Sequence, residues 1–300
     1  MSLSSQSIIC PKDLYADAEE NVDYDEKDFP FYLRWGKISR FAGRRVLAHF
    51  HHDFEYIYLA SGVLDYDVNG EKCHLEAGEG IFVNSKMLHY GSGCGEKECN
   101  FLCLLFSPIL LSSSPVIEEK SVSPYLTLGK SFLFFPRESA PLRTLQEIGR
   151  VKKKGADLLT YESLLFRLWK ETLPFFPPLG EKEKPQGLED VRTMMTYVRT
   201  HYAEDLSLAK IAQSAYLSES SATRLFRHYF HVSPIAYLID YRLLLSERLL
   251  RETSASIEKI AFDVGYSSPS FFIRSFKNKY KETPLCYRKK MAKDSDLPQL

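Results

Sequence analysis

The stretch LSLAKIAQSAYLSESSATRLFRHYFHVSP, residues 206–234, is answered downstream by ASIEKIAFDVGYSSPSFFIRSFKNKYKETP, residues 255–284. Ile260-Ala261 repeats Ile211-Ala212, Ser268 repeats Ser218, Arg274-Ser275-Phe276 repeats Arg224-Leu225-Phe226, and Thr283-Pro284 repeats Ser233-Pro234. The offset is 49 residues before the turn and 50 after it. Each copy reads as a short helix with an apolar stripe, a turn, and a second helix opened by a serine that accepts a backbone N–H. Two such copies predict tandem helix-turn-helix units.

The second helix of each copy divides into two faces at about 100° per residue. In the first copy Ala222, Leu225, Phe226 and Tyr229 share one face, while Ser220, Ser221, Thr223, Arg224 and Arg227 share the other. In the second, Phe272, Phe276 and Tyr280 lie behind a polar face of Ser270, Arg274 and Lys277, with Pro269 at the first helical position, where a missing N–H costs nothing. A packing face backed by donors and cations is what a helix lying in the major groove requires. Ser220, Thr223, Arg224, Ser270 and Arg274 are therefore expected at or near base edges, and Arg227, Lys277 and Lys279 at phosphates. Between the copies, Ser233-Pro234 opens a helix to about Arg251 that holds the two heads at fixed separation, suited to groove segments about 34 Å apart.

Residues 242–289, RLLLSERLLRETSASIEKIAFDVGYSSPSFFIRSFKNKYKETPLCYRK, closely resemble the signature of the AraC/XylS transcription regulators, including Ile257, Ile260, Ala261, Gly265, Phe272, Phe276, Pro284 and Arg288. The resemblance covers about residues 188–290 and implies double-stranded DNA and RNA polymerase as partners. Tyr216, His231 and Lys281 stand where that family usually has glycine. If those positions keep a positive φ, each costs roughly 1 kcal/mol or more.

Upstream the period changes to short β segments at 46–51, 56–60, 63–68, 73–75, 80–83 and 101–106, with Asn69-Gly70 as a hairpin signal. Many short strands argue for an antiparallel sandwich or barrel. Gly43, His49, His51, Glu55 and Gly62 fall at the spacing of the first cupin motif, and Gly78 and His89 at places in the second. There Asn84, Lys86 and Gly93 depart from the usual residues. About residues 41–107 thus resemble a cupin. His49 and His51 sit two apart on a strand and face the same way, while His52 points to the other side and reads as a surface residue. With Glu55 and His89 they form a three-imidazole, one-carboxylate set. That set suits either a metal-free anchor for a small-molecule effector, such as a carbohydrate, or a divalent transition metal. Both readings stay open on the residues, as does a role for Tyr56, Tyr58 and Phe82 either stacking on a sugar or in the core.

Leu142, Leu145, Ile148 and Val151, then Leu158, Leu159, Leu165, Phe166 and Trp169 after Gly155, recur at helical spacing. This helix pair packs on the barrel and offers a two-fold contact for a homodimer. Residues 175–187, rich in Pro, Gly and charge, read as a linker. The chain has zero formal net charge, yet residues 188–293 carry 17 Lys and Arg against 11 Asp and Glu. Six cysteines form no CxxC pair; Cys94, Cys99 and Cys103 cluster in sequence, either as alternating strand positions or as a redox or metal sensor. With 44% hydrophobic and 26% charged residues, no apolar run spans a bilayer and no secretory signal is evident, which predicts a cytoplasmic, non-membrane protein.

The expected fold is multidomain α+β: a loosely packed lead-in (1–30), a cupin-like effector-binding β-barrel (31–140), a helical dimerisation region (141–174), a linker (175–187) and an all-α double helix-turn-helix (188–293). The expected function is an effector-controlled transcription regulator with no catalysis. The alternative is a metal-dependent cupin enzyme carrying a DNA-binding domain.

Overall fold

A computed structural model describes residues 19–26, 28–179 and 186–295, with side chains to Met291. The expected lead-in lies outside the described residues up to residue 18, and the linker does so over 180–185. Two compact units meet in sequence at Gln186–Gly187.

The first unit is built from β1 (Phe31–Lys37), β2 (Phe54–Ser61), β3 (Val63–Val68), β4 (Glu71–Glu76), β5 (Gly80–Val83), β6 (His89–Gly93), β7 (Asn100–Phe106) and β8 (Phe132–Phe135). They form a five-stranded sheet, β1-β7-β2-β5-β8, and a three-stranded sheet, β4-β3-β6, with every pairing antiparallel. Asn69 (φ 52°) and Gly70 (φ 86°) make the turn between β3 and β4, both being residue types that take positive φ readily. Ile57, Leu59, Ile81 and Leu105 of the large sheet pack with Leu64, Tyr66, Val68 and Leu75 of the small one, enclosing the barrel interior.

The opposite face of the large sheet is buried too, under helices. Tyr56, Phe82, Leu102, Leu104 and Phe106 meet Leu142, Leu145, Ile148, Leu165, Leu168 and Trp169. These come from α3 (Ala140–Lys153) and α4 (Leu158–Thr172), which follow two short helices, α1 (Pro115–Ile117) and α2 (Ser123–Leu128). Phe54 stacks on Trp169 with ring centroids 4.8 Å apart. A strand covered on both faces reads as an unbroken apolar run, which is why residues 101–106 lack alternation. The apolar stripes of α3 and α4 are thus occupied by the sheet, and Leu158 and Leu159 are left exposed at the start of α4.

Two expectations change. Residues 46–51 form no continuous strand; they meet β6 through a bridge at His49–His89, one more at Arg45–Ser92 standing just ahead of them. Residues 19–26 are tied down rather than loose. The Glu20 N–H donates to the Phe50 carbonyl (2.8 Å), Tyr24 donates its hydroxyl to Asp53 (2.9 Å), and Asp25 pairs with Arg34 and Lys152. Carboxylates that find buried or half-buried partners on the barrel fix this segment although its sequence has no apolar period.

The second unit is helical: α5 (Leu188–His201), α6 (Leu208–Ser214), α7 (Glu219–Phe230), α8 (Pro234–Glu252), α9 (Ile257–Asp263), α10 (Pro269–Tyr280) and α11 (Pro284–Ser295). Ser207, Ser218, Ser233, Ser256 and Ser268 each accept a backbone N–H from the first turn of the following helix, and each such cap stabilises by about 1 kcal/mol. The α8 residues Tyr237, Leu238, Tyr241, Leu244 and Leu250 are buried, and the buried Arg199 of α5 donates from Nε to the Tyr237 hydroxyl (3.1 Å). Tyr216, His231 and Lys281 adopt φ of 55°, 58° and 63°, so the backbone keeps the left-handed turns without glycine, at roughly 1 kcal/mol each. Gly265 cannot make that exchange: a Cβ there would lie 2.5 Å from the Tyr202 carbonyl oxygen.

Candidate effector pocket and nucleic-acid interface

All four side chains of the expected barrel cluster come together and are buried: His49, His51, Glu55 and His89. The ring centroids of His49 and His89 are 4.2 Å apart, those of His51 and His89 5.0 Å. Each imidazole is oriented by the backbone. Nδ1 of His49 donates to the Leu47 carbonyl (2.6 Å), that of His51 to Asp53 (3.2 Å) and that of His89 to Met87 (2.8 Å). Because a carbonyl can only accept, Nδ1 carries the proton in all three, so that in a neutral ring Nε2 holds the lone pair.

Sequence reasoning missed three members of the site. Glu20 Oε2 lies 3.1 Å from His49 Nε2; Tyr66 donates its hydroxyl to Glu55 Oε2 (3.0 Å); the Cys103 thiol lies 3.7 Å from Glu55 Oε1. His89 Nε2 lies 2.9 Å from Glu55 Oε2. Tyr66 and Cys103 were findable as inward positions of alternating strands. Glu20 carried no spacing signal, since it precedes the barrel and reaches it through tertiary contact alone.

The electrostatics divide the cluster. Burial opposes charge on Glu55, but the neighbouring His89, His51 and His49 outweigh it and lower its pKa to about 2. Burial likewise opposes charge on Glu20 and His49, and their mutual attraction wins, holding the carboxyl below and the imidazole above their ordinary values. His51 goes the other way: burial, then repulsion from His89, lowers its pKa to about 3, so it is neutral. Its Nε2 is buried and without a hydrogen-bond partner among the described residues.

Beside this cluster lies a cavity of about 40 Å³, with Glu20, His49, Glu55, Tyr66 and Cys103 at its polar end and Ile38, Phe41, Ile57, Leu64, Phe101 and Leu105 along its apolar walls. Tyr56 and Phe82 do not reach it; they pack in the core between sheet and helices, with Tyr58 against the same core. The alternation of β2 puts Glu55 and Ile57 inside and sends the tyrosines to the other face. His52 is exposed, as expected. The donor set fits a divalent transition metal: three imidazole donors within 4.8 Å of one another, their Nδ1–H groups tied to carbonyls, beside a carboxylate.

Among the described residues, Cys94, Cys99 and Cys103 do not assemble into one centre. Burial and Glu55 push the Cys103 thiol well up, so it is not a reactive thiolate. Cys99 donates to the Val63 carbonyl (3.0 Å), and Cys94 sits on the exterior beside Asp65 (2.9 Å), which also meets His74.

In the second unit, α7 buries Ala222, Leu225, Phe226 and Tyr229, and leaves Ser220, Arg224 and Arg227 exposed with Ser221 and Thr223 half-buried. Ser220, Thr223, Arg224 and Arg227 line one open groove together with Leu208 and Glu219. In α10, Phe272 and Phe276 are buried while Ser270, Arg274 and Lys277 are exposed and Pro269 is half-buried at the first turn. None of Arg224, Arg227, Arg274 and Lys277 is ion-paired among the described residues, so their charge is available to a polyanion. Lys279, expected at a phosphate, pairs with Asp240 of α8. The exposed Phe271, missed from sequence, flanks the polar face of α10.

Residues 211–290 match the profile of a helix-turn-helix domain and residues 42–105 that of a cupin domain. The HTH-type transcriptional regulator YdeC of Bacillus subtilis is 25% identical over 252 residues, 80% of this chain and 85% of its own. The probable transcriptional regulator LumQ of Photobacterium leiognathi is 24% identical over 242 residues, 79% and 90% of the two chains. A solved structure of ToxT from Vibrio cholerae aligns with a TM-score of 0.45 at 14% identity, covering 87% of this chain and 98% of that one. No helix among the described residues is long and apolar enough to cross a membrane.

Proposed function

We propose that this chain, a transcription regulator of the AraC/XylS type with a cupin domain ahead of its helix-turn-helix domain, reads two neighbouring major-groove segments under the control of a ligand held in the barrel. The observation that carries the reading is the α7 face: four hydrogen-bonding or cationic side chains, with no ion pair to neutralise the arginines, around one groove. Ser220, Thr223 and Arg224 of the first head, and Ser270 and Arg274 of the second, contact base edges; Ser221, Arg227, Pro269 and Lys277 contact the backbone. Selection from a random duplex pool tests this. The enriched sequences should contain two segments about one helical turn apart, and retention of the pool without enrichment would overturn it.

The barrel controls the heads by favouring one arrangement of domains or protomers over another, which requires unequal ligand affinity in the two. The regulator acts in the cytoplasm as a homodimer and contacts RNA polymerase. Sedimentation of the full chain checks the dimer.

The pocket favours a small ligand anchored at its polar end over a carbohydrate. About 40 Å³ is room for little more than water, and the aromatic residues suited to a sugar face the other way. The imidazole tautomers favour a divalent transition metal, which His49, His51, His89 and Glu55 would hold and which would supply positive charge among buried acids. We assign the barrel a sensing role and no catalysis, since the cavity does not accommodate an organic substrate beside those donors.

A further inference from the structure

We propose that Glu20, from the segment preceding the barrel, is a fifth protein ligand to that divalent metal, so that loading the barrel and docking residues 19–26 are one event. The inference rests on the metal reading of the pocket and adds a residue that lies outside both cupin motifs. Its carboxylate is 3.1 Å from His49 Nε2, its side chain is 10% exposed, and it lines the same cavity as Glu55. Its backbone is set from the same side: the Glu20 N–H donates to the carbonyl of Phe50, between the two motif histidines.

Charge makes the argument. Two carboxylates, the buried Glu55 and the half-buried Glu20, stand beside three imidazoles whose outer nitrogens all donate to backbone carbonyls. Without a cation, neutrality requires two added protons on the rings or carboxyls of this packed cluster. With a divalent cation, both carboxylates are balanced while all three rings stay neutral and present lone pairs inward. The Nε2 of His51, fully buried and unpartnered among the described residues, gains a partner only in the second case. A donor set of three nitrogens and two oxygens suits manganese, iron, cobalt, nickel or zinc rather than magnesium or calcium.

The consequence reaches beyond the pocket. Five residues on, Asp25 of the same segment pairs with Lys152 of α3 and accepts from the Leu33 N–H (3.2 Å). A cation that holds Glu20 therefore also holds a strap between the barrel interior and the helical layer.

The test uses the full chain, stripped by chelator and titrated with Co²⁺, read by calorimetry and by the cobalt absorption bands. A Cys94→Ser background removes the exterior trio of Asp65, His74 and Cys94, which also brings metal-binding atoms together. One Co²⁺ per chain is expected, with altered absorption bands in Glu20→Gln and an affinity lowered by more than the about 10- to 100-fold that loss of an outer-shell partner costs. Amide exchange over residues 19–26 should slow on loading in the parent and not in Glu20→Gln. If Glu20→Gln fails to fold, Glu20→Asp, with a shorter carboxylate, should bind more weakly than the parent. Parent-like affinity and protection in the Glu20 variant, with binding abolished in His49→Ala/His51→Ala, would sink the Glu20 ligand alone. Absence of Co²⁺ binding in the parent would overturn the metal reading along with it.

Discussion

Arg224→Ala should weaken binding to an enriched duplex by about 10- to 100-fold while changing affinity for random duplex far less. The side chain is exposed on α7, without an ion pair among the described residues, in a groove with Ser220, Thr223 and Arg227. A guanidinium so placed can form two parallel hydrogen bonds to guanine, worth about 1–3 kcal/mol of discrimination, and losing them costs the cognate site alone. Arg227→Ala is the internal comparison. As a phosphate contact it should weaken both duplexes together and reduce the salt dependence of binding by about one unit of slope. Equal losses on both duplexes in Arg224→Ala would move that arginine to the phosphate class.

Phe276→Ala should destabilise the second head by about 3–5 kcal/mol, a loss on the scale of a domain's whole stability. The ring is fully buried and packs against Phe272, Tyr280 and Tyr287 at centroid distances of 5.8, 4.4 and 5.6 Å, so its removal leaves a cavity bounded by rigid aromatics that cannot collapse into it. Amide exchange should quicken over α9–α11 and leave α6 and α7 close to their original protection, because the first head has its own core in Phe226, Tyr229 and Phe230. Binding should contract to a single segment of the enriched duplex. Uniform loss of protection across α5–α11 would mean that the two heads unfold as one.

Much of this was legible in the sequence where a local rule had a long stretch to act on. Helix faces, serine caps and the Asn69-Gly70 turn each follow from residue type and period, and they reappear at the same residues. Tyr216, His231 and Lys281, where glycine was expected from the resemblance, adopt positive φ, because the turn is set by the helices on either side rather than by the residue at its centre. The pocket was half legible. His49, His51, Glu55 and His89 share a motif, whereas Glu20 reaches them across tertiary space. Strands β1, β6 and β8 were missed for physical reasons. β6 (His89–Gly93) has small residues without alternation, β8 spans only Phe132–Phe135, and β1 is held by its partner β7. The pairing of Lys279 with Asp240 shows the converse limit, since a cation on the right stretch of helix is free only if no neighbouring element supplies an acid.

The coupling proposed here is control of the heads by the barrel. Its most direct measurement is the affinity of the full chain for an enriched duplex, taken on chelated protein and again after Co²⁺ loading, with His49→Ala/His51→Ala in parallel. A change of about 5- to 150-fold is expected on loading, the usual range of coupling between sites, and none in the double variant. Identical isotherms for chelated and verifiably loaded protein would contradict it.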